Sequence, residues 1–162
     1  PINGMVVEDF DKDGNPDVLL VANDFGNETN SGRYDASNGL LLKGDGQGNF
    51  TPLTQAVTGF YVPANAKGLA QLTTNTGRRI LIATQNRGPL KVFGESSAPL
   101  KWISLQSDDA YALIRTKDGK TYRQELYYGA SFLSQSCRKI ALTGREALVE
   151  IVNFQGKKRK AL

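Results

Sequence analysis

Asp9-Phe10-Asp11-Lys12-Asp13-Gly14-Asn15-Pro16-Asp17 is the stretch whose reading decides the rest of the chain. Carboxylates stand at positions 1, 3 and 5 of this nonapeptide, glycine at 6 and a fourth carboxylate at 9. Calcium is a hard cation that takes about six to eight oxygen ligands, and a short loop whose side chains converge from alternate positions suits it. Gly14 permits the sharp turn around an ion, because glycine enters positive φ without steric cost. Asn15 is expected to offer its backbone carbonyl. The expected metal ligands are therefore Asp9, Asp11, Asp13, Asn15 and Asp17, and the expected ion is Ca2+. Four aspartates this close repel one another, and a divalent cation relieves that repulsion. The alternative is a solvated Asp/Gly/Asn turn that needs no metal.

The flanks separate this loop from an EF-hand. An EF-hand needs a glutamate at its twelfth position and a helix on each side. Here that position is Leu20, and Pro16 would break a helix. Met5-Val6-Val7 and Val18-Leu19-Leu20-Val21-Ala22 are short apolar runs rich in β-branched residues, which read as buried strands. The expectation is a calcium loop joining two strands.

Composition narrows the chemistry. The chain has 162 residues, 40% of them hydrophobic, with 17 Gly and 6 Pro, as in a turn-rich globular protein. No apolar run approaches the roughly 20 residues that cross a bilayer, so no transmembrane segment is expected. The abrupt start at Pro1, without Met, reads as a trimmed or excised fragment whose N-terminal part is missing. There is no histidine. That removes the commonest general base and excludes Ser-His-Asp and Cys-His nucleophile systems within this chain. One cysteine, Cys137, makes zinc sites and a disulfide framework untenable, and it reads as a small buried residue. Charge is uneven. Residues 1–60 carry nine acids against three bases (Lys12, Arg33, Lys43), whereas the remainder carries seven against seventeen. The asymmetry suggests two modules, the acidic one balanced by a bound cation.

The rest of the chain reads as strands and turns, with no sustained helical periodicity: an all-β protein. After a polar loop over 23–38, strands are expected at 39–43 and 50–53 around the turn Gly44-Asp45-Gly46-Gln47-Gly48-Asn49. This turn is not a phosphate cradle, because Phe50-Thr51-Pro52 supplies neither the Lys-Ser/Thr pair nor a helix. The layout repeats with strands at 68–72, 80–84 and 90–93, but the turn Thr73-Thr74-Asn75-Thr76-Gly77 has no carboxylate, and no second calcium site is expected. Ser96-Ser97-Ala98-Pro99 reads as a junction between 1–95 and 96–162. Beyond it, strands are expected at 101–106, 111–116, 121–126, 138–142 and 147–154, with a last short one after Gln155-Gly156-Lys157. Lys117-Asp118-Gly119-Lys120 is a hairpin turn.

With these residues in hand, the chain resembles known families. Residues 4–53, with the metal loop followed by Leu42-Lys43-Gly44-Asp45-Gly46-Gln47-Gly48-Asn49-Phe50, resemble an FG-GAP/VCBS repeat. That resemblance implies an integrin-α-like β-propeller blade whose inter-strand loop binds calcium. Residues 68–93 are similar to a degenerate blade without the loop. Residues 100–162 resemble an ASPIC/UnbV domain, through Gly129-Ala130-Ser131-Phe132-Leu133-Ser134-Gln135-Ser136 and Val149-Glu150-Ile151-Val152-Asn153-Phe154-Gln155-Gly156-Lys157. Asn153-Phe154-Gln155 departs from that family's Trp-Pro, and Ile140-Ala141-Leu142-Thr143-Gly144 from its Phe-Gly-Leu-Gly. The implied architecture is a partial β-propeller of two blades followed by a small antiparallel β-sandwich-like domain, and a full propeller implies further blades in a longer protein.

The functional expectation is a non-enzymatic, calcium-binding module. It would meet a protein or carbohydrate ligand of unstated identity in a secreted, periplasmic or cell-surface protein. The alternative is the C-terminal, non-catalytic part of a larger exported enzyme such as a carbohydrate-active one. Lys157-Lys158-Arg159-Lys160 reads as a charged strand that blunts a sheet edge rather than a nucleic-acid site. Tyr122, Tyr127, Tyr128 and Phe132 read as core or cross-strand aromatics, with a sugar-stacking platform as the alternative.

Overall fold

A computed structural model describes every residue except Ser96, Ser97 and Ala130. The expected junction at Ser96-Ser97 and the second residue of the 129–136 segment therefore lie outside the described residues. Among the described residues the chain is all-β, and every strand pairing is antiparallel. It forms two compact units: Pro1–Ala98 with Gly129–Cys137, and Pro99–Tyr128 with Arg138–Leu162.

The first unit holds two open sheets. β1 (Ile2–Glu8), β2 (Asp17–Ala22), β3 (Leu40–Gly44) and β4 (Phe50–Leu53) pair in chain order. After a one-turn helix, α1 (Gln55–Thr58), come β5 (Ala66–Thr73), β6 (Arg79–Gln85) and β7 (Lys91–Gly94), also in chain order. No helix was expected from the sequence. Four residues at 55–58 close one turn because Gly59 takes φ 67° and returns its N–H to the Gln55 carbonyl.

Side chains alternate across a strand, so each sheet offers two faces. Val6, Leu19 and Val21 point from the first sheet onto Leu69 and Ala83 of the second, with Phe60, Val62 and Ala66 completing a buried cluster. Gly4 sits where the sheets come closest: a Cβ there would lie 2.6 Å from Leu69 Cβ. The long loop over 23–39 is tied down by one buried residue. Asn23 donates Nδ2–H to the Ser37 and Ala64 carbonyls, and its Oδ1 accepts the Ser37 N–H.

Residues 131–137 run along the free edge of β5. The Leu69 N–H bonds Ser134 Oγ at 3.1 Å and the Gln71 N–H bonds Ser136 Oγ at 2.9 Å, while Cys137 N–H reaches the Gln71 carbonyl at 2.8 Å. Serine hydroxyls here take the place of a neighbouring strand, which satisfies an edge otherwise open to foreign pairing. Cys137 is only half-buried, because it ends this strap at the surface instead of entering the core.

The second unit has β8 (Lys101–Ser104), β9 (Asp109–Thr116), β10 (Thr121–Glu125), β11 (Lys139–Leu142), β12 (Glu146–Asn153) and β13 (Lys158–Lys160). One sheet runs β10-β9-β12-β13, and a second pairs β11 with β8. Ala112, Ile114, Val149 and Ile151 of the larger sheet share a core with Ile140 of the smaller. The basic run forms β13 at the sheet edge, where Lys160 stands opposite Glu150 and Arg159 Nη2 meets the buried Asp109 carboxylate at 2.6 Å.

Of the four aromatics read as core or cross-strand residues, Tyr122 is a cross-strand residue opposite Ile114, and all four, Tyr122, Tyr127, Tyr128 and Phe132, are exposed rather than in the core. Their places explain it. Tyr127 and Tyr128 follow the end of β10, where Tyr128 gives its hydroxyl to the Ser107 carbonyl and its ring to the Arg138 guanidinium. Phe132 lies in the strap. Tyr122 projects from the edge strand β10.

Candidate metal centre

The loop between β1 and β2 is built from its own amides. Lys12 at φ 65° and Gly14 at φ 92° turn the chain back, so successive N–H groups point inward at carboxylates. Asp9 accepts from Asp13 N at 3.1 Å and from Gly14 N at 2.9 Å. Asp11 accepts from Asp13 N, and Asp13 from Asn15 N. Asp17, 1% exposed at the start of β2, takes the Phe10 N–H on one oxygen and the Gly44 N–H on the other, each at 2.9 Å. That last bond closes the loop against the β3–β4 hairpin.

One oxygen each from Asp9, Asp11 and Asp17 lies within 4.8 Å of the others. These are three of the five expected ligands, brought together across nine residues of chain. Carboxylate oxygens keep a second lone pair after accepting one N–H, so the bonds that hold these groups leave them able to ligate. A hard, all-oxygen set of this kind can hold a divalent cation. Asp13 is not one of this trio. Its carboxylate lies 3.0 Å from Lys43 Nζ, and the same ammonium bonds Asp11. Asn15 lies beside the hairpin turn, its Oδ1 2.3 Å from where a Cβ on Gly46 would be.

The electrostatics follow from crowding. Half-burial pushes the Asp9 carboxyl above its ordinary value, and the nearby charges of Asp13 and Asp11 push the same way. The Gly14 and Lys12 amides pull it down but do not prevail. A carboxylate in this position is costly to ionise without a cation beside it. Lys43 answers part of that demand, and its own pKa is raised by hydrogen bonds to Asp11 and then Asp13.

Residues beyond the loop support it. Phe10 lies over the Arg79 guanidinium at 4.9 Å, and Arg79, 1% exposed, stands 3.7 Å from both Glu8 and Glu95. Lys12 reaches Glu95 at 3.8 Å. The sequence reading passed over Lys43 and Arg79. Lys43 had one available signal, as one of only three bases among nine acids in the first 60 residues. Arg79 had none, since an Arg-Arg pair beside a turn reads as surface.

A scan against protein-family models finds no match for this chain, and a search of curated proteins finds no relative.

Proposed function

We propose that this chain is a non-catalytic, calcium-binding β-repeat module, in which the ion is structural and the rest of the surface serves protein or glycan recognition in an exported or cell-surface protein. The observation that carries this reading is the convergence of the Asp9, Asp11 and Asp17 oxygens on a loop fastened at both ends to strands. In this reading β1–β4 and β5–β7 are propeller-type blades of the FG-GAP/VCBS kind, the first with its metal loop and the second without. The stacking of two sheets, each ordered as in the chain, supports it. Calcium would neutralise the loop and hold Asp9 and Asp11 to the β2 end, pinning two strands rather than activating a water. The second reading, a C-terminal non-catalytic part of a larger exported enzyme, draws on the absence of histidine from the chain.

Thermal melting in excess EGTA and then in millimolar calcium tests the metal. An ion that binds the native state alone stabilises it by about 1.4–2.7 kcal/mol at 10–100 times Kd. Wild type is expected to gain melting temperature with calcium, and Asp9→Ala/Asp11→Ala is expected to gain none. Equal curves for wild type in both buffers would reduce the loop to an ordinary turn.

A further inference from the structure

Two asparagines in the chain precede a glycine, Asn3 and Asn38. In this dipeptide the nitrogen of the second residue can attack the side-chain carbonyl of the first, and glycine has no side chain to obstruct so close an approach. The fold treats the two pairs in opposite ways.

Asn3 is locked. Its Nδ2 donates to the Asn23 carbonyl at 2.9 Å and to the Ala66 carbonyl at 2.8 Å, so its amide cannot turn without breaking both bonds. Gly4 is paired with Val21 in the sheet and lies against Leu69. Asn38, at the end of the 23–39 loop, is exposed, and among the described residues no hydrogen bond holds its side chain.

The peptide group between Asn38 and Gly39 is met on both sides. Its N–H, on Gly39, donates to Ser37 Oγ at 3.2 Å. Its carbonyl, on Asn38, accepts the Val62 N–H at 2.8 Å and the Gln55 side-chain amide at 3.4 Å. Ring closure requires the Gly39 nitrogen to give up its proton. The charge left behind is shared between that nitrogen and the Asn38 carbonyl oxygen, where two donors already point. Fixed donors aimed at a developing charge lower the barrier to forming it. Ser37 is half-buried, so its hydroxyl offers the departing proton a route to water.

We propose that Asn38–Gly39 is a site of self-modification, where the fold promotes closure of the Asn38 side chain onto the Gly39 nitrogen. The nitrogen bonds to Asn38 Cγ as its proton leaves by way of Ser37. The bond from Cγ to Nδ2 then breaks, and Nδ2 departs as ammonia after taking a proton from solvent. Water opens the resulting five-membered imide at either carbonyl and leaves an aspartyl or an isoaspartyl link at position 38. The isoaspartyl link adds a methylene to the backbone next to Gly39, where a Cβ would already lie 2.8 Å from the Phe60 ring. It also shifts the carbonyl that receives the Val62 N–H, so the loop loosens where it meets the core. The proposal does not depend on the metal reading.

The test is peptide mapping of the folded chain after incubation at mildly alkaline pH. Trypsin releases residues 1–12 and 34–43, each with a single asparagine. The 34–43 peptide is expected to change from amide to acid and to split into aspartyl and isoaspartyl forms, while 1–12 stays intact. In concentrated urea both peptides are expected to change together. Ser37→Ala is expected to slow the reaction of the folded chain several-fold and to leave the rate in urea unaltered, with 1–12 again intact as the sign that β1 remains folded. A folded wild type in which 34–43 stays intact, or in which 1–12 changes as fast, would overturn the proposal. An equal or faster reaction in folded Ser37→Ala would overturn it too, by making the hydroxyl a restraint on the loop.

Discussion

Single atoms decide the geometry around Gly44. A Cβ on Gly44 would fall 2.1 Å from the Pro16 carbonyl oxygen, a backbone atom that cannot turn aside. Gly44→Ala is therefore expected to cost about 2–3 kcal/mol, read as a lowered denaturant midpoint, and to loosen the Asp17 bond that closes the β1–β2 loop. Lys43, the preceding residue, would act oppositely on a bound cation. Its ammonium already lies on Asp11 and Asp13, so a cation held by Asp9, Asp11 and Asp17 would have to compete with it. Lys43→Met is expected to tighten calcium binding several-fold in a calorimetric titration, and an unchanged affinity would show that the tether and the ion do not meet. Asp45 sets the acid response of the neighbouring turn. The Asn49 side-chain amide, followed by the Gln47 and Asn49 N–H groups, holds its carboxyl below the ordinary value. A lowered carboxyl stabilises the fold above its unfolded pKa, and that contribution fades as pH falls through the lowered one. The melting-temperature gap between wild type and Asp45→Ala is expected to be full at pH 6 and to close toward pH 2.

At the scale of elements, the two sheets of the first unit meet around a buried cation. Arg79 leads β6 into the space between Glu8 of β1 and Glu95 beyond β7, and burial raises the Glu8 carboxyl although Arg79 opposes the rise. Removing one partner of a buried ionic set leaves the others uncompensated, so Arg79→Met is expected to cost about 3 kcal/mol in chemical denaturation. Glu8→Gln added to Arg79→Met should return part of that loss, because the double variant buries one charge fewer. The strands themselves were legible in the sequence. Val18-Leu19-Leu20-Val21, Leu40-Leu41-Leu42 and Ile80-Leu81-Ile82-Ala83 announce themselves by unbroken apolar runs, and the Gly-rich turns mark their ends. The loop was legible in part: alternation of Asp residues predicted convergence, but not that Asp13 would turn toward Lys43. That choice depends on β3, distant in sequence and adjacent only after the sheet has formed. Arg79 escaped for the same reason, since its surroundings come from the end of β1, the loop after it and the residue beyond β7.

For the whole molecule, the discontinuous first unit matters most. Residues 131–137 return from beyond β10 to supply hydroxyls and amides to the edge of β5. Ser134→Ala/Ser136→Ala is expected to destabilise by about 1 kcal/mol per lost bond and to speed hydrogen exchange at the Leu69 and Gln71 amides selectively. No periodicity foretells this strap, because its partners lie more than sixty residues upstream. Its position carries a consequence for biosynthesis. When Ala98 leaves the ribosome, both sheets of the first unit have been made, yet the edge of β5 is still bare. Translation at about 5–20 residues per second delivers Cys137 some 2–8 s later. Throughout that interval the nascent chain displays an unsatisfied strand edge, and it is then, rather than in the finished protein, that a chaperone or a neighbouring nascent chain has its opportunity to pair with it.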